Sequence, residues 1–223
     1  MLPSHQHGTT ASVHPIQPRK PLVAGTWNIR SLTRTGAACL LVEQLSRAHI
    51  NIMGLQEVRC HDSEELSVQD YKLHWSGPPT GSTRQGGVAI AMDQLAARDL
   101  ISRRPINDRL LTATFQHSLG IFQVIVAYAP TELAAADVKD SFYHDLEHTL
   151  FSLQPAQPTV ILEDFNAVTG RQRDPHKTVV GPHGHGIPND NTEVAELLRR
   201  RRFQNRRILI PTQGHTSLEL VFQ

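Results

Sequence analysis

Two acids, two amides and a phenol stand where apolar runs end. Asn28 closes Thr26-Trp27-Asn28, and Glu57 closes Leu55-Gln56-Glu57. Tyr128 opens Tyr128-Ala129-Pro130-Thr131, and Asp164 and Asn166 frame Asp164-Phe165-Asn166-Ala167. The runs before them, 22–25, 50–55, 121–127 and 159–162, read as buried strands. Residues delivered to strand ends have rigid backbones and exposed tips. Phosphodiester hydrolysis needs a metal to neutralise phosphate charge, a group to orient water, donors for developing negative charge and help for the leaving oxygen. A hard divalent cation asks for only one or two carboxylates, because it keeps several waters. Glu57 suits that task, Asp164 could orient water, Asn28 and Asn166 add polarity without charge, and Tyr128 offers an O–H. Taken singly, each residue is better read as a turn former, a solvated rim group or an ordinary strand-end side chain. The ordered set is not.

Holding such a set requires an α/β framework. The run 22–28 predicts a strand ending at Asn28, and 37–48 predicts a helix with Ala37, Leu41, Leu45 and Ala48 on one face. A second strand over 50–57 completes a βαβ unit, whose two strands run parallel and end on one edge. Short strands follow over 68–75, 87–92, 98–104, 109–115 and 121–127, separated by Gly, Pro, Asn and Asp, which predicts antiparallel hairpins. A helix over 134–153 carries Val138, Phe142, Leu146 and Leu150 at a spacing of four, and a strand over 159–162 follows it. Beyond lie a Gly, Pro and His-rich loop over 171–188, a helix capped at Asp190 and a last strand over 208–210. The expected fold is a layered α/β sandwich of two mixed β-sheets flanked by helices.

The 223 residues suit one such domain. Two cysteines, Cys39 and Cys60, do not make a disulfide framework, which points to a reducing, intracellular location in nucleus or cytoplasm rather than secretion. A net charge of +1 neither demands nor excludes nucleic acid. No apolar run approaches a bilayer-spanning length, so no membrane partner is expected. Residues 1–20 are polar and read as a disordered leader, with the folded domain over 21–223. His176, His183 and His185 have no cysteine near them and read as loop composition rather than a zinc site. The basic run 199–202, with Arg206 and Arg207, reads equally as phosphate contacts or as a solvated helix end; Arg84 and Arg103-Arg104 are weaker cases.

With these motifs in this order, the chain resembles the endonuclease/exonuclease/phosphatase superfamily, the fold of deoxyribonuclease and the exonuclease III-like abasic-site endonucleases. Gly25-Thr26-Trp27-Asn28-Ile29-Arg30-Ser31-Leu32, Gly181-Pro182-His183-Gly184 and Asn189-Asp190-Asn191 look closest to the endonuclease domains of non-LTR retrotransposons and to craniofacial development protein 2-like proteins. The resemblance implies Mg²⁺, or Mn²⁺ in its place, on Glu57 with Asn28. It also implies that Asp164 orients water, that Asn166 and Asn28 support the phosphate, that Tyr128 contacts it, and that DNA is the substrate. Two departures stand out. Glu163 replaces a family glycine beside Asp164, with its side chain expected on the opposite strand face. The late Asp-His segment of the family has no counterpart after Asn191, and His215 does not match it. The sequence therefore also admits a domain that binds nucleic acid or protein without catalysis, or a phosphatase. It predicts a domain incomplete at its C-terminus, with missing last strands and marginal stability.

Overall fold

The computed structural model describes residues 22–83, 85–118, 120–164, 166, 208–209 and 217–220. Two mixed sheets face each other. The first takes β1 (Leu22–Asn28), β2 (Ile52–Gln56), β3 (Glu65–Val68), β4 (Tyr71–Ser76), β5 (Val88–Asp93) and β11 (Ser217–Leu220), in the order β11-β1-β2-β5-β4-β3. The second takes β6 (Leu100–Asn107), β7 (Leu110–His117), β8 (Gly120–Tyr128), β9 (Thr159–Asp164) and β10 (Ile208–Leu209), in the order β10-β9-β8-β7-β6. Helices α1 (Ala37–Arg47) and α3 (Ala136–Ser152) connect parallel neighbours, β1 to β2 and β8 to β9. The central hairpins are antiparallel.

Strand alternation sorts the core into three layers. Ile52, Ile90, Val124, Val126 and Leu162 fill the space between the sheets. Leu41, Val42 and Leu45 of α1 cover Met53, Leu55 and Leu73 on the outside of the first sheet. Phe142, Leu146 and Leu150 of α3 cover Ile125 and Ile161 on the outside of the second. The sheets approach closely at Gly54, where an added Cβ would lie 2.5 Å from the Leu162 Cβ. Only glycine fits there.

The expected sandwich is the observed one, with four local differences. The strand expected over 68–75 is two strands, because Gln69 turns the chain at φ 50°. The strand expected over 98–104 begins later, behind a six-residue helix, α2 (Gln94–Asp99), whose first turn is capped by the Asp93 carboxylate accepting from Ala96 N. Val138 was assigned to the buried stripe of α3 but is 42% exposed, and Thr149 is buried on that helix instead. The short β11, not foreseen, pairs antiparallel with β1 from Leu22↔Leu220 to Gly25↔Ser217 and covers that sheet edge. The expected 171–188 loop, the Asp190 helix, Arg84, Phe165, the histidines His176, His183, His185 and His215, and the 199–207 basic run lie outside the described residues.

Candidate functional site

Strands β1, β2, β8 and β9 run parallel within each sheet and end on the same side of the sandwich. In the first sheet Asn28 stands opposite Gln56, and Ile29 N donates to Gln56 O at 3.1 Å. In the second, Tyr128 stands opposite Asp164. Polar bonds tie the sheets together just beneath these ends. Thr26 Oγ1 donates to Glu163 O at 3.0 Å, and the fully buried Gln56 donates through Nε2 to Thr26 Oγ1 at 3.0 Å. Thr26 and Gln56 thus hold the register of the site without reaching it.

Alternation sends Asn28, Tyr128 and Asp164 into the gap between the sheets, behind Ala24, Val126 and Leu162 of the inter-sheet core. The same rule puts Glu163 on the other face with Ile161, as expected from the sequence. Glu57 obeys no such rule. Met53 and Leu55 face α1, so a continued strand would carry Glu57 outward as well. Its backbone instead turns left-handed, at φ 54°, and the carboxylate swings back over the strand ends. Arg30, Arg59 and Asn166 share that conformation, at φ 59°, 56° and 48°. A non-glycine residue held there costs on the order of 1–2 kcal/mol, and such strain gathers where geometry serves chemistry.

The convergence centres on one amide. Asn28 Nδ2 donates to Glu57 Oε1 at 2.8 Å and to Asp164 Oδ2 at 2.9 Å. Asn28 Oδ1 accepts from Arg30 N at 3.2 Å, which fixes which end of the amide faces the acids. Tyr128 donates its O–H to Glu57 Oε1 at 3.1 Å, and Arg59 Nη2 donates to Glu57 Oε2 at 2.9 Å. Asp164 Oδ1 accepts from Asn166 N at 3.1 Å, while Asn166 Nδ2 donates to Ala129 O at 2.9 Å. All five residues singled out in the sequence therefore meet.

Electrostatics set their protonation. Burial works to raise the Glu57 carboxyl, but hydrogen bonds from Asn28, Arg59 and Tyr128, together with the Arg59 charge, outweigh it and hold it below its ordinary value. Glu57 is a carboxylate at neutral pH. The Tyr128 phenol is pushed up to about 12, first by burial and then by the Glu57 charge. Tyr128 is a donor, not a base.

Two residues of the site carried no sequence signal of their own. Arg59 reaches Glu57 only because both backbones are left-handed. Arg109 lies 5.2 Å above the Tyr128 ring centroid and donates to Tyr128 O at 3.3 Å, braced by Asn107 Oδ1 on its backbone N. Neither position falls in a motif.

Among the described residues no group of three or more His, Cys, Asp and Glu converges into a closed metal cage. The donor set nonetheless fits a hard divalent cation. Glu57 Oε2 and Asp164 carry negative charge from two directions, and a cation of that kind fills its remaining positions with water or phosphate oxygens. No helix among the described residues is long and apolar enough to cross a membrane.

Residues 25–191 match the Endonuclease/Exonuclease/phosphatase family. The chain is similar to craniofacial development protein 2 of Bos taurus, 31% identical over 166 residues, which is 74% of this chain and 27% of the relative. It therefore spans about a quarter of the length of the curated relatives it matches. In structure it is similar to the AP endonuclease LMAP from Leishmania major, with a TM-score of 0.56, 14% identity and coverage of 84% of this chain and 67% of that one. It is also similar to an AP endonuclease from Archaeoglobus fulgidus, with a TM-score of 0.55, 18% identity and coverage of 82% and 70%. At those identities the likeness is one of fold.

Proposed function

The chain belongs to the endonuclease/exonuclease/phosphatase family, and from that footing we propose that it is a Mg²⁺-dependent phosphodiesterase, with Mn²⁺ able to substitute, acting on DNA. The observation that carries the reading is the single Asn28 amide holding carboxylates from both sheets, with the Tyr128 O–H on one of them. A structural ion cluster has no need to bring two acids together without a cation between them. A site for a divalent metal and a phosphate does.

In this reading Glu57 and Asp164 supply the anionic face, and Glu57 is ionised at neutral pH. The bound metal would neutralise phosphate charge and stabilise the departing oxygen. Asn28 acts as the organiser, because both hydrogens of its amide are engaged by the acids. Asp164 Oδ1 faces the water that attacks phosphorus and takes its proton, with the Asn166 N–H fixing the carboxylate plane. Tyr128, protonated and buried but for its tip, turns its O–H from Glu57 to a phosphate oxygen when substrate arrives. Arg30, Arg59 and Arg109 line the surrounding strand ends and loops, and cations there favour a polyanion.

The similarity to craniofacial development protein 2 and the run Gly25–Leu32 support retrotransposon descent as part of this proposal. The two cysteines make no disulfide framework, which supports an intracellular location as part of this proposal. A plasmid nicking assay with Mg²⁺ or Mn²⁺ tests the assignment: nicking is expected, and activity that survives Glu57→Ala or Asp164→Ala refutes it.

One contact favours a second reading, a domain that holds nucleic acid without cutting it. Arg59 already neutralises Glu57. That reading predicts DNA retention that weakens with salt and no cleavage with any metal.

A further inference from the structure

Glu57 is the acid expected to hold the metal, yet in this structure both of its carboxylate oxygens accept from protein donors. Oε1 accepts from Asn28 at 2.8 Å and from Tyr128 at 3.1 Å, which fills both of its lone-pair directions. Oε2 accepts from Arg59 Nη2 at 2.9 Å. An incoming cation has only Oε2 to approach, and a guanidinium stands there.

The backbone aims that contact. Glu57 and Arg59 both lie in the left-handed region, at φ 54° and 56°. The segment between them is pinned, with Val58 N donating to Gly87 O at 3.1 Å and Arg59 N to Gly86 O at 2.9 Å. Gly87 itself, at φ 85°, leaves no room for a Cβ against Val58, so the two loops fit each other closely. Arg59 is therefore held across from Glu57 by the loop rather than by the ion pair alone. Its side chain is 46% exposed against 20% for Glu57, so the guanidinium is the more exposed partner and can swing into solvent.

Resting on the reading of Glu57 as a metal ligand, we infer that Arg59 is a resident counter-cation of the site. It stabilises the Glu57 carboxylate in the free protein and must be displaced when a divalent metal binds. Two cations cannot share Oε2 without strong repulsion at that range. Once displaced, Arg59 remains anchored at its backbone beside the strand ends, with its five N–H donors free for a phosphate oxygen. Metal entry and exposure of a phosphate-binding guanidinium are then one event. Metal binding is weaker than the ligands alone would give, and coupled to substrate.

The test is a titration of the full chain with Mn²⁺, following the free-ion signal by electron paramagnetic resonance, a readout independent of turnover. The proteins are the wild type, Arg59→Met, Arg59→Lys and Glu57→Gln. Removing the competing charge in Arg59→Met should tighten Mn²⁺ binding about tenfold, with Arg59→Lys close to the wild type. Glu57→Gln should lose the site. Equal or weaker Mn²⁺ binding by Arg59→Met, with Glu57→Gln still defective, overturns the inference and leaves the metal reading standing. Absence of binding in both the wild type and Arg59→Met overturns both. A single-stranded oligonucleotide added at saturating Mn²⁺ should bind less tightly to Arg59→Met than to the wild type, the opposite sign to the metal effect. A merely structural Arg59 would lower both affinities together.

Discussion

The first sheet carries, at its two ends, polar clusters of nearly the same composition. At the end described above, Asn28 meets Glu57, Asp164 and Tyr128. At the other, Asn51 meets Asp93, with Tyr71 beside them. Asn51 Oδ1 accepts from Val23 N at 2.8 Å, its Nδ2 donates to Asp93 Oδ2 at 2.6 Å, and Asp93 Oδ1 accepts from Ala96 N at 2.8 Å. Tyr71 donates its O–H to Ile50 O. Each polar atom at this far end closes on backbone or on one partner, all within a single sheet and its capped helix. Even the two phenols are shifted alike, both to about 12 with burial as the first cause. The difference lies in what the donors face. At the far end the amide meets a single carboxylate of its own sheet and the phenol a backbone carbonyl; at the near end amide and phenol converge on two carboxylates from different sheets. A perturbed tyrosine does not mark a site, whereas two acids gathered by one amide do.

Four substitutions break that comparison. The largest effect is expected at Glu57→Gln, which should lower plasmid nicking by at least about a hundredfold with only a small loss of stability in urea at neutral pH. Asn51→Ala should do the reverse. It leaves Val23 N and Asp93 without their partner and should cost about 2–4 kcal/mol in urea unfolding, with nicking per folded molecule unaltered. The phenols offer a paired test. Tyr128→Phe should reduce nicking about tenfold with little loss of stability, and Tyr71→Phe should lose about 1 kcal/mol with full activity. Equal effects at both tyrosines would erase the distinction between the two ends.

The smallest effect is a pH dependence. The folded protein holds the Glu57 carboxyl below its ordinary value of 4.5, so ionisation favours the native state. Its contribution is fully present above about pH 4.5 and is lost as pH falls through the folded value. Unfolding from pH 6 to pH 3 should show the wild type losing stability faster than Glu57→Gln over that acid window only. A difference that persists unchanged at pH 3 would contradict the assignment.

Much of this was readable before any coordinates. β2, β8 and β9 are apolar runs buried over most of their length and β1 is partly so, and the residue that ends each is visible as a change of character. The five site residues followed from that. Other features were not readable, for identifiable reasons. α2 is too short for a helical period to register against its strand neighbours. Gln69 gives no hint that it will adopt a turn conformation. Val138 sits at the right spacing for the core of α3, but it lies in the first turn of that helix and stays 42% exposed. Strict alternation would have placed Glu57 facing α1; its position depends on one backbone angle. The Arg59 contact depends on two.

Asn28 and Asp164 are 136 residues apart, and Asn51 and Asp93 only 42. Closing the longer loop costs roughly 1 kcal/mol more in chain entropy than closing the shorter one, at about 0.6 kcal/mol per doubling. The far-end cluster can form as soon as β2 meets β5, early and locally. The Asn28–Asp164 bond joins the two sheets, so it waits until both have formed and docked. During refolding, sheet signal should return before Mn²⁺ binding does.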